Sequence, residues 1–338
     1  MNTRLKPIRE QTIVITGASS GIGLATAKAA AEEGAKLVLA ARDENSLKEI
    51  VEVLNRRGGN AIHVMADVGQ RAQVQAIADR AIEHFGGFDT WVNDAGVGIY
   101  GHLEEITDED HHRLFDTNFW GVVYGSQIAA KHLRQRGGAL INLGSVASEM
   151  SLPLQGMYCA SKHAIKGFTD ALRLELEEQH APVSVTLIKP TSIATPFAQH
   201  AKNYTGREPT LPPPLYKPDD VARAILYAAR HPVRDIYVGG AGKVMTTLNK
   251  NFPSVMDQVS SRMMAHLQMR DESAHEREDS LAHAGHDGRI EGDYPDRHPR
   301  HSLYSPISRH PLMAGALVAA AGAAAAAMLR GTSRQVWH

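Results

Sequence analysis

Between Ser145 and Lys162 the chain carries three polar side chains that one reaction could use together. Tyr158 and Lys162 are four residues apart, so on a helix they share a face. The stretch around them, GMYCASKHAIKGF, otherwise has the pattern of a buried helix, and a buried ammonium is costly unless its charge is used. A phenol titrates near pH 10, too high for acid–base work at neutral pH, and a neighbouring ammonium favours the phenolate. Lowering it by about three pH units takes about 4 kcal/mol of differential interaction, much of which a close, partly dry cation can supply. Ser145 lies thirteen residues before Tyr158, a distance that suits a loop returning to one sheet edge. Its hydroxyl can donate to an oxygen on which charge develops. Taken alone, Tyr158 and Lys162 read first as a surface pair on a helix.

A second motif favours the chemical reading. TGASSGIG, residues 16–23, follows an apolar run and opens a helical pattern. Gly17 permits a tight turn, Gly21 lets backbone approach a phosphate, and Gly23 lets helix pack on strand. The helix start supplies N–H donors and partial positive charge for that phosphate. At the end of the next strand, where NAD-binding folds carry an acid for the ribose hydroxyls, stand Ala41 and then Arg42. A guanidinium there suits a 2′-phosphate, so NADP(H) is favoured over NAD(H). Asp67 could accept from an adenine amino group or cap the helix after it. Asn93 and Gly96 end a further strand, where glycine lets the chain pass close to a cofactor. Asn118 lies inside a long helical pattern, a poor place for asparagine unless its amide is used or simply faces water.

The elements that must position these residues alternate. Strand patterns at 11–15, 36–41, 61–66, 90–92, 139–143, 183–188 and 235–238 are separated by helical patterns, among them 20–33, 44–57, 71–85, 107–136 and 218–230. Continuous apolar strands alternating with helices predict an α/β fold with a doubly wound parallel sheet covered on both faces. Ligands in such sheets bind beyond the carboxyl ends of the strands, where the unusual residues fall.

TGASSGIG, YCASK, Ser145 and Asn118, in this order, resemble the classical short-chain dehydrogenase/reductase family over residues 10–245. The resemblance implies a Rossmann-type seven-stranded sheet, no metal, and hydride transfer between NAD(P)(H) and a carbonyl or alcohol. It implies Tyr158 as acid–base, Ser145 as the group steadying the substrate oxygen, and Lys162 as the residue lowering the tyrosine and binding ribose. Asn118 would hold a proton-relay water. Cofactor contacts would come from Gly17, Ser19, Ser20, Gly21, Ile22, Gly23, Arg42, Asp67, Val68, Asn93, Ala95, Gly96, Tyr158, Lys162, Pro190, Ile193 and Thr195, with Asp67 at adenine and the last two at the carboxamide. Two positions depart from the family pattern. Asp94 stands where asparagine is usual and cannot donate when ionised, and Thr191 stands where glycine is usual and would crowd the cofactor.

Met150, Leu152, Leu154 and Met157, with Val97, Ile99 and Tyr100, suggest an apolar pocket, under a lid at 197–216, for a lipophilic carbonyl or alcohol; packing alone would explain them equally. A net charge of −1 excludes a basic field for nucleic acid, and one cysteine, Cys159, excludes an internal disulfide. The first residues lack the apolar core of a signal peptide, which points to the cytoplasm. The expected organisation is a catalytic domain at 1–248, a polar, disordered linker at 249–311, and an Ala-rich segment with a basic end at 312–338. The apolar stretch at 312–329 just reaches the length of a membrane span, so the chain is a membrane-tethering candidate; a helix on a partner and a disordered end are the alternatives. The seven histidines between 266 and 310 are irregularly spaced and read as solvated, so no metal is expected. A homo-oligomer is expected. The rival functions are a non-catalytic nucleotide-binding sensor and a membrane-associated scaffold.

Overall fold

The computed structural model describes residues 4–285, 288–295, 297–302 and 304. Its centre is a seven-stranded parallel sheet. Short runs of β-branched and apolar residues form the strands: β1 (Thr12–Thr16), β2 (Lys36–Ala41), β3 (Asn60–Met65) and β4 (Thr90–Asn93), then, after the two-residue β5 (Ile99–Tyr100), β6 (Gly138–Leu143) and β7 (Val183–Pro190). After the short β8 (Lys202–Asn203) and β9 (Arg207–Pro209), β10 (Asp235–Val238) closes the sheet, in the order β10-β7-β6-β4-β1-β2-β3. β1 lies between β4 and β2, with Ile13 opposite both Thr90 and Leu37. The order reverses there, which opens a crevice at the carboxyl ends.

Alternation along each strand divides the core in two. Ile13, Ile15, Leu37 and Leu39 face one side. They pack on α1 (Gly21–Glu32), α2 (Glu44–Arg56) and α8 (Pro218–Arg230). Val14, Val38 and Ala40 face the other, against α3 (Arg71–Phe85), α5 (Gly121–Arg136) and α6 (Gly156–Glu178). Helix starts are set locally: Asp43 accepts from the Asn45 amide, and Thr107 accepts from the Asp110 amide at 3.3 Å. The long helical pattern that begins there is three pieces. α4 (Asp108–Phe115) runs into a π-helical turn, Asp116–Trp120, before α5 continues.

Beyond residue 248 the structure differs from the expectation of a polar, unstructured linker. α9 (Gly240–Asn251) and α10 (Pro253–Leu267) are helices, the second burying Met256, Ser260 and Met264 at four-residue spacing. β11 (Met269–Ser273) pairs antiparallel with β9. The described residues from 274 to 304 then run back across the sheet's carboxyl edge. Their order rests on hydrogen bonds and ion pairs to the domain rather than on aliphatic content, which is why composition alone misses it. Glu208, buried, receives the His275 amide and pairs with Arg277 at 2.8 Å. Arg300 bonds to Leu215, and the Ser302 amide donates to Asp220 at 2.7 Å. Among the described residues of this segment, Leu281 and Tyr294 are the buried apolar anchors, and Ser280 and Ser302 are buried beside polar partners. The apolar stretch at 312–329 lies outside the described residues; among those described, no helix is long and apolar enough to cross a membrane.

Candidate active site

The three glycines of the first turn are required for different reasons. A Cβ at Gly17, whose φ is 72°, would lie 2.8 Å from the Ala95 backbone. At Gly23 it would lie 2.2 Å from the Gly17 carbonyl oxygen. Gly21, at φ 53°, faces the Thr195 side chain across the cleft, where a Cβ would come within 3.3 Å. The cleft between them is bounded by Ser19, Ser20 and Ile22 on one side and by Val68, Ala95 and Gly96 on the other. A backbone cradle that any side chain would fill is what a dinucleotide phosphate needs.

At one end of this cleft stand Ala41, Arg42 and Asp67. The Arg42 guanidinium donates to the Leu281 carbonyl at 3.1 Å and to the Ser280 carbonyl. Burial and the nearby Arg113 hold Arg42 below its ordinary pKa, against the pull of Asp67 and Asp279. Asp67 does not stand open for an adenine: one carboxylate oxygen accepts from Arg113 at 2.6 Å, the other from the Gly69 amide at 2.9 Å.

At the other end, β6 leads into Ser145, and the first turn of α6 returns Tyr158 and Lys162 beside it. Ser145 is oriented by its own turn: its hydroxyl accepts from the Ala147 amide, and its amide donates to Ser148 Oγ. Lys162, buried, donates to the Leu143 carbonyl at 2.8 Å. Its Nζ stands 5.6 Å from the centre of the Tyr158 ring. Burial of the Tyr158 hydroxyl pushes it well above its ordinary value, and the hydrogen-bonded Ser145 hydroxyl pulls it only part of the way back. Burial also takes Lys162 down to about 8, opposed by the Asp94 carboxylate.

Asn118 sits in the π-helical turn, with both ends of its amide used. Oδ1 accepts from the Val97 amide at 2.8 Å, and Nδ2 donates to the Val97 carbonyl and Ser161 Oγ. It therefore staples the loop after β4 to α6. Asn93 bonds across the sheet end, donating to Asn142 Oδ1 at 2.8 Å and Ser126 Oγ at 3.1 Å. Asp94 turns the other way and accepts from the Gly23 amide. Burial raises it to about 7, with Lys162 opposing. Thr191 lies along the cleft but does not crowd it with its hydroxyl, which donates to the Val238 and Gly239 carbonyls. Pro190, Ile193 and Thr195 line the same end of the cleft as Tyr158.

A cavity opens beside Ser145 and Tyr158, walled by Met150, Leu152, Leu211, Met245 and Met264. Pro212, Pro213 and Pro214 close it from the 197–216 segment. Leu154, Ile99 and Tyr100, expected at a pocket wall, pack instead in satellite cores, and Val97 faces the glycine-turn cleft. Met245 and Met264 come from α9 and α10 and were not foreseen, though Met264 lies on the buried four-residue spacing of its helix. Among the described residues no cluster of side chains is suited to hold a metal ion.

A family model described as short chain dehydrogenase matches residues 11–205. The chain belongs to the short-chain dehydrogenase family. An uncharacterized oxidoreductase of Bacillus subtilis, YxnA, is 45% identical over 328 residues, 96% of this chain and 92% of that protein. The match thus includes the region beyond the family model. A short-chain dehydrogenase/reductase from Burkholderia phymatum, solved in complex with NAD, superposes with a TM-score of 0.66 at 30% identity, covering 75% of this chain and 96% of that one. An alcohol dehydrogenase from Thermococcus sibiricus, complexed with 5-hydroxy-NADP, has a TM-score of 0.60 at 27% identity, covering 68% and 95%. This short-chain dehydrogenase is an oxidoreductase acting between CH–OH and C=O groups with a nicotinamide cofactor.

Proposed function

We propose that the enzyme is an NADP(H)-dependent reductase or dehydrogenase of a lipophilic carbonyl or alcohol. The observation that carries this reading is the pairing of two ends of one cleft. Arg42 follows Ala41 where an NAD-type acid would stand, and a methionine- and proline-walled cavity adjoins Ser145 and Tyr158. The bound cofactor supplies the hydride or accepts it. The chain's residues manage the proton and the position. The Tyr158 hydroxyl gives its proton to the oxygen of a carbonyl substrate and becomes a phenolate; in the reverse direction that phenolate takes the proton of an alcohol. Ser145, held by its own turn, donates to that same oxygen. Lys162, fixed on the Leu143 carbonyl, places positive charge near the developing phenolate and within reach of ribose hydroxyls. Asn118 fixes the widened helical turn at which a relay water would be held.

The test is oxidation of NADPH and of NADH against a panel of aliphatic, aromatic and polycyclic carbonyls, with wild type and Tyr158→Phe. A preference for NADPH and for bulky apolar carbonyls, lost in the variant, is expected. Equal rates for wild type and variant would remove the catalytic assignment and leave a nucleotide-binding protein without chemistry.

A further inference from the structure

Arg113, on α4, plays no part in the family motifs, yet it meets Arg42 at a single atom. Arg42 Nη1 and Arg113 Nε both donate to the Leu281 carbonyl oxygen, at 3.1 and 3.2 Å. Arg42 also holds the Ser280 carbonyl. Two guanidinium groups focused on one neutral oxygen form an arrangement that a phosphate satisfies better, since charge-assisted bonds are about twice as strong as neutral ones. In the fixed part of the cluster Asp67 braces Arg113, and Asp43 is turned to its own helix start, accepting from the Asn45 amide and the Ser46 hydroxyl, while Asp279 belongs to the loop itself. That loop is built into the fold. The Ser280 amide donates to the His200 carbonyl at 2.7 Å, the Leu281 amide to Asp279 at 2.9 Å, and the Leu281 side chain is fully buried with Val97, Ile99, Ile106 and Leu114. The same chain reaches the glycine turn, where the Gly21 amide donates to the Arg289 carbonyl at 2.9 Å.

We propose that Arg113 is the second arm of the 2′-phosphate subsite, and that the Ser280–Leu281 turn is a latch whose carbonyls occupy that subsite until the phosphate replaces them. This rests on the NADP(H) reading above and deepens it. The Leu281 side chain stays anchored while the peptide units on either side of it rotate, which releases the Leu281 amide from Asp279. Arg113 thereby becomes a specificity residue that acts only when the latch is open, and Asp67 keeps it aimed.

The probes are 2′,5′-ADP and 5′-ADP, titrated calorimetrically into the full chain and into Arg113→Gln and Arg113→Lys. Wild type should bind 2′,5′-ADP the more tightly. Arg113→Gln should weaken 2′,5′-ADP about tenfold or more and 5′-ADP less than about twofold, with Arg113→Lys between. Equal weakening of both probes would make Arg113 only a brace for Asp67 and overturn the assignment. Wild-type binding that ignores the 2′-phosphate would instead remove the NADP(H) reading itself. Amide exchange in unmodified protein tests the latch without any variant: saturating 2′,5′-ADP should speed exchange in residues 279–282, and unchanged or slowed exchange there would overturn it.

Discussion

The two ends of the cofactor cleft are built in opposite ways. At the catalytic end, Ser145, Tyr158 and Lys162 come from one short piece of chain: a strand end, a turn and the first turns of α6. Each is held by a neighbour in sequence or by the adjoining strand, as when Lys162 donates to Leu143. At the far end, Arg42, Asp67, Arg113 and Leu281 come from four separate parts of the chain and meet through the two guanidinium groups, which bond the Leu281 carbonyl and, from Arg113, the Asp67 carboxylate. On the proposed reading the difference separates reaction from selectivity: the chemistry would sit in a local frame, and the choice of cofactor in a tertiary assembly that one added segment can rewrite.

That contrast can be broken most severely at Tyr158. Tyr158→Phe keeps the ring against Phe197, 5.3 Å away between centres, but removes the proton carrier. The turnover rate should fall by about a thousandfold, within the range general acid–base catalysis supplies. Nucleotide affinity by fluorescence titration should stay within about threefold. A comparable loss of affinity would mean the two ends are not separable.

Leu281→Ala should act in the reverse sense. It empties a fully buried site where the returning segment grips the domain, and should cost about 2–4 kcal/mol in denaturant unfolding. The turnover rate at saturating cofactor should change less than about twofold. A loss below about 0.5 kcal/mol would show that the segment from 274 onward does not hold to the domain.

Asp94 links the two ends and sharpens the comparison through pH. Its carboxyl rises from 3.8 to about 7 on folding, so between those values the native state binds more protons than the unfolded chain. Stability contributed by the protonated form is therefore full below about pH 4 and lost as pH rises through about 7. Asp94→Asn should raise stability at pH 8 by about 1–3 kcal/mol and change it little at pH 4. Denaturation curves at the two pH values check this, and an equal shift at both would point to packing instead of charge.

The smallest expected effect is at the selective end. Arg42→Ala should weaken NADPH about tenfold and NADH less than about twofold, measured by equilibrium titration. Equal weakening would show that Arg42 merely supports the loop it now holds.

The reach of the sequence follows the same division. TGASSGIG was legible because backbone geometry alone dictates glycine at Gly17 and Gly23, whose Cβ atoms would collide with main chain. Seven strands were legible because each carries its own apolar period. The catalytic residues were legible because four-residue spacing on a helix is a local fact. The Asn118 turn was only half legible: an asparagine in a helical pattern was noticeable, but the π-helical turn that uses it was not.

Sequence alone therefore determined the parallel sheet, the glycine cradle and the shared helix face of Tyr158 and Lys162, since each follows from period, sterics or spacing within a few neighbouring residues. The tertiary structure decided three further things. It fixed Lys162 on the Leu143 carbonyl, joined Asn93 to Asn142 across the sheet, and brought the polar segment after residue 274 down onto Arg42. The physical reason is the same in each case. A hydrogen bond or a shifted pKa belongs to whatever surrounds the group in space, and those partners lie between about twenty and two hundred forty positions away along the chain.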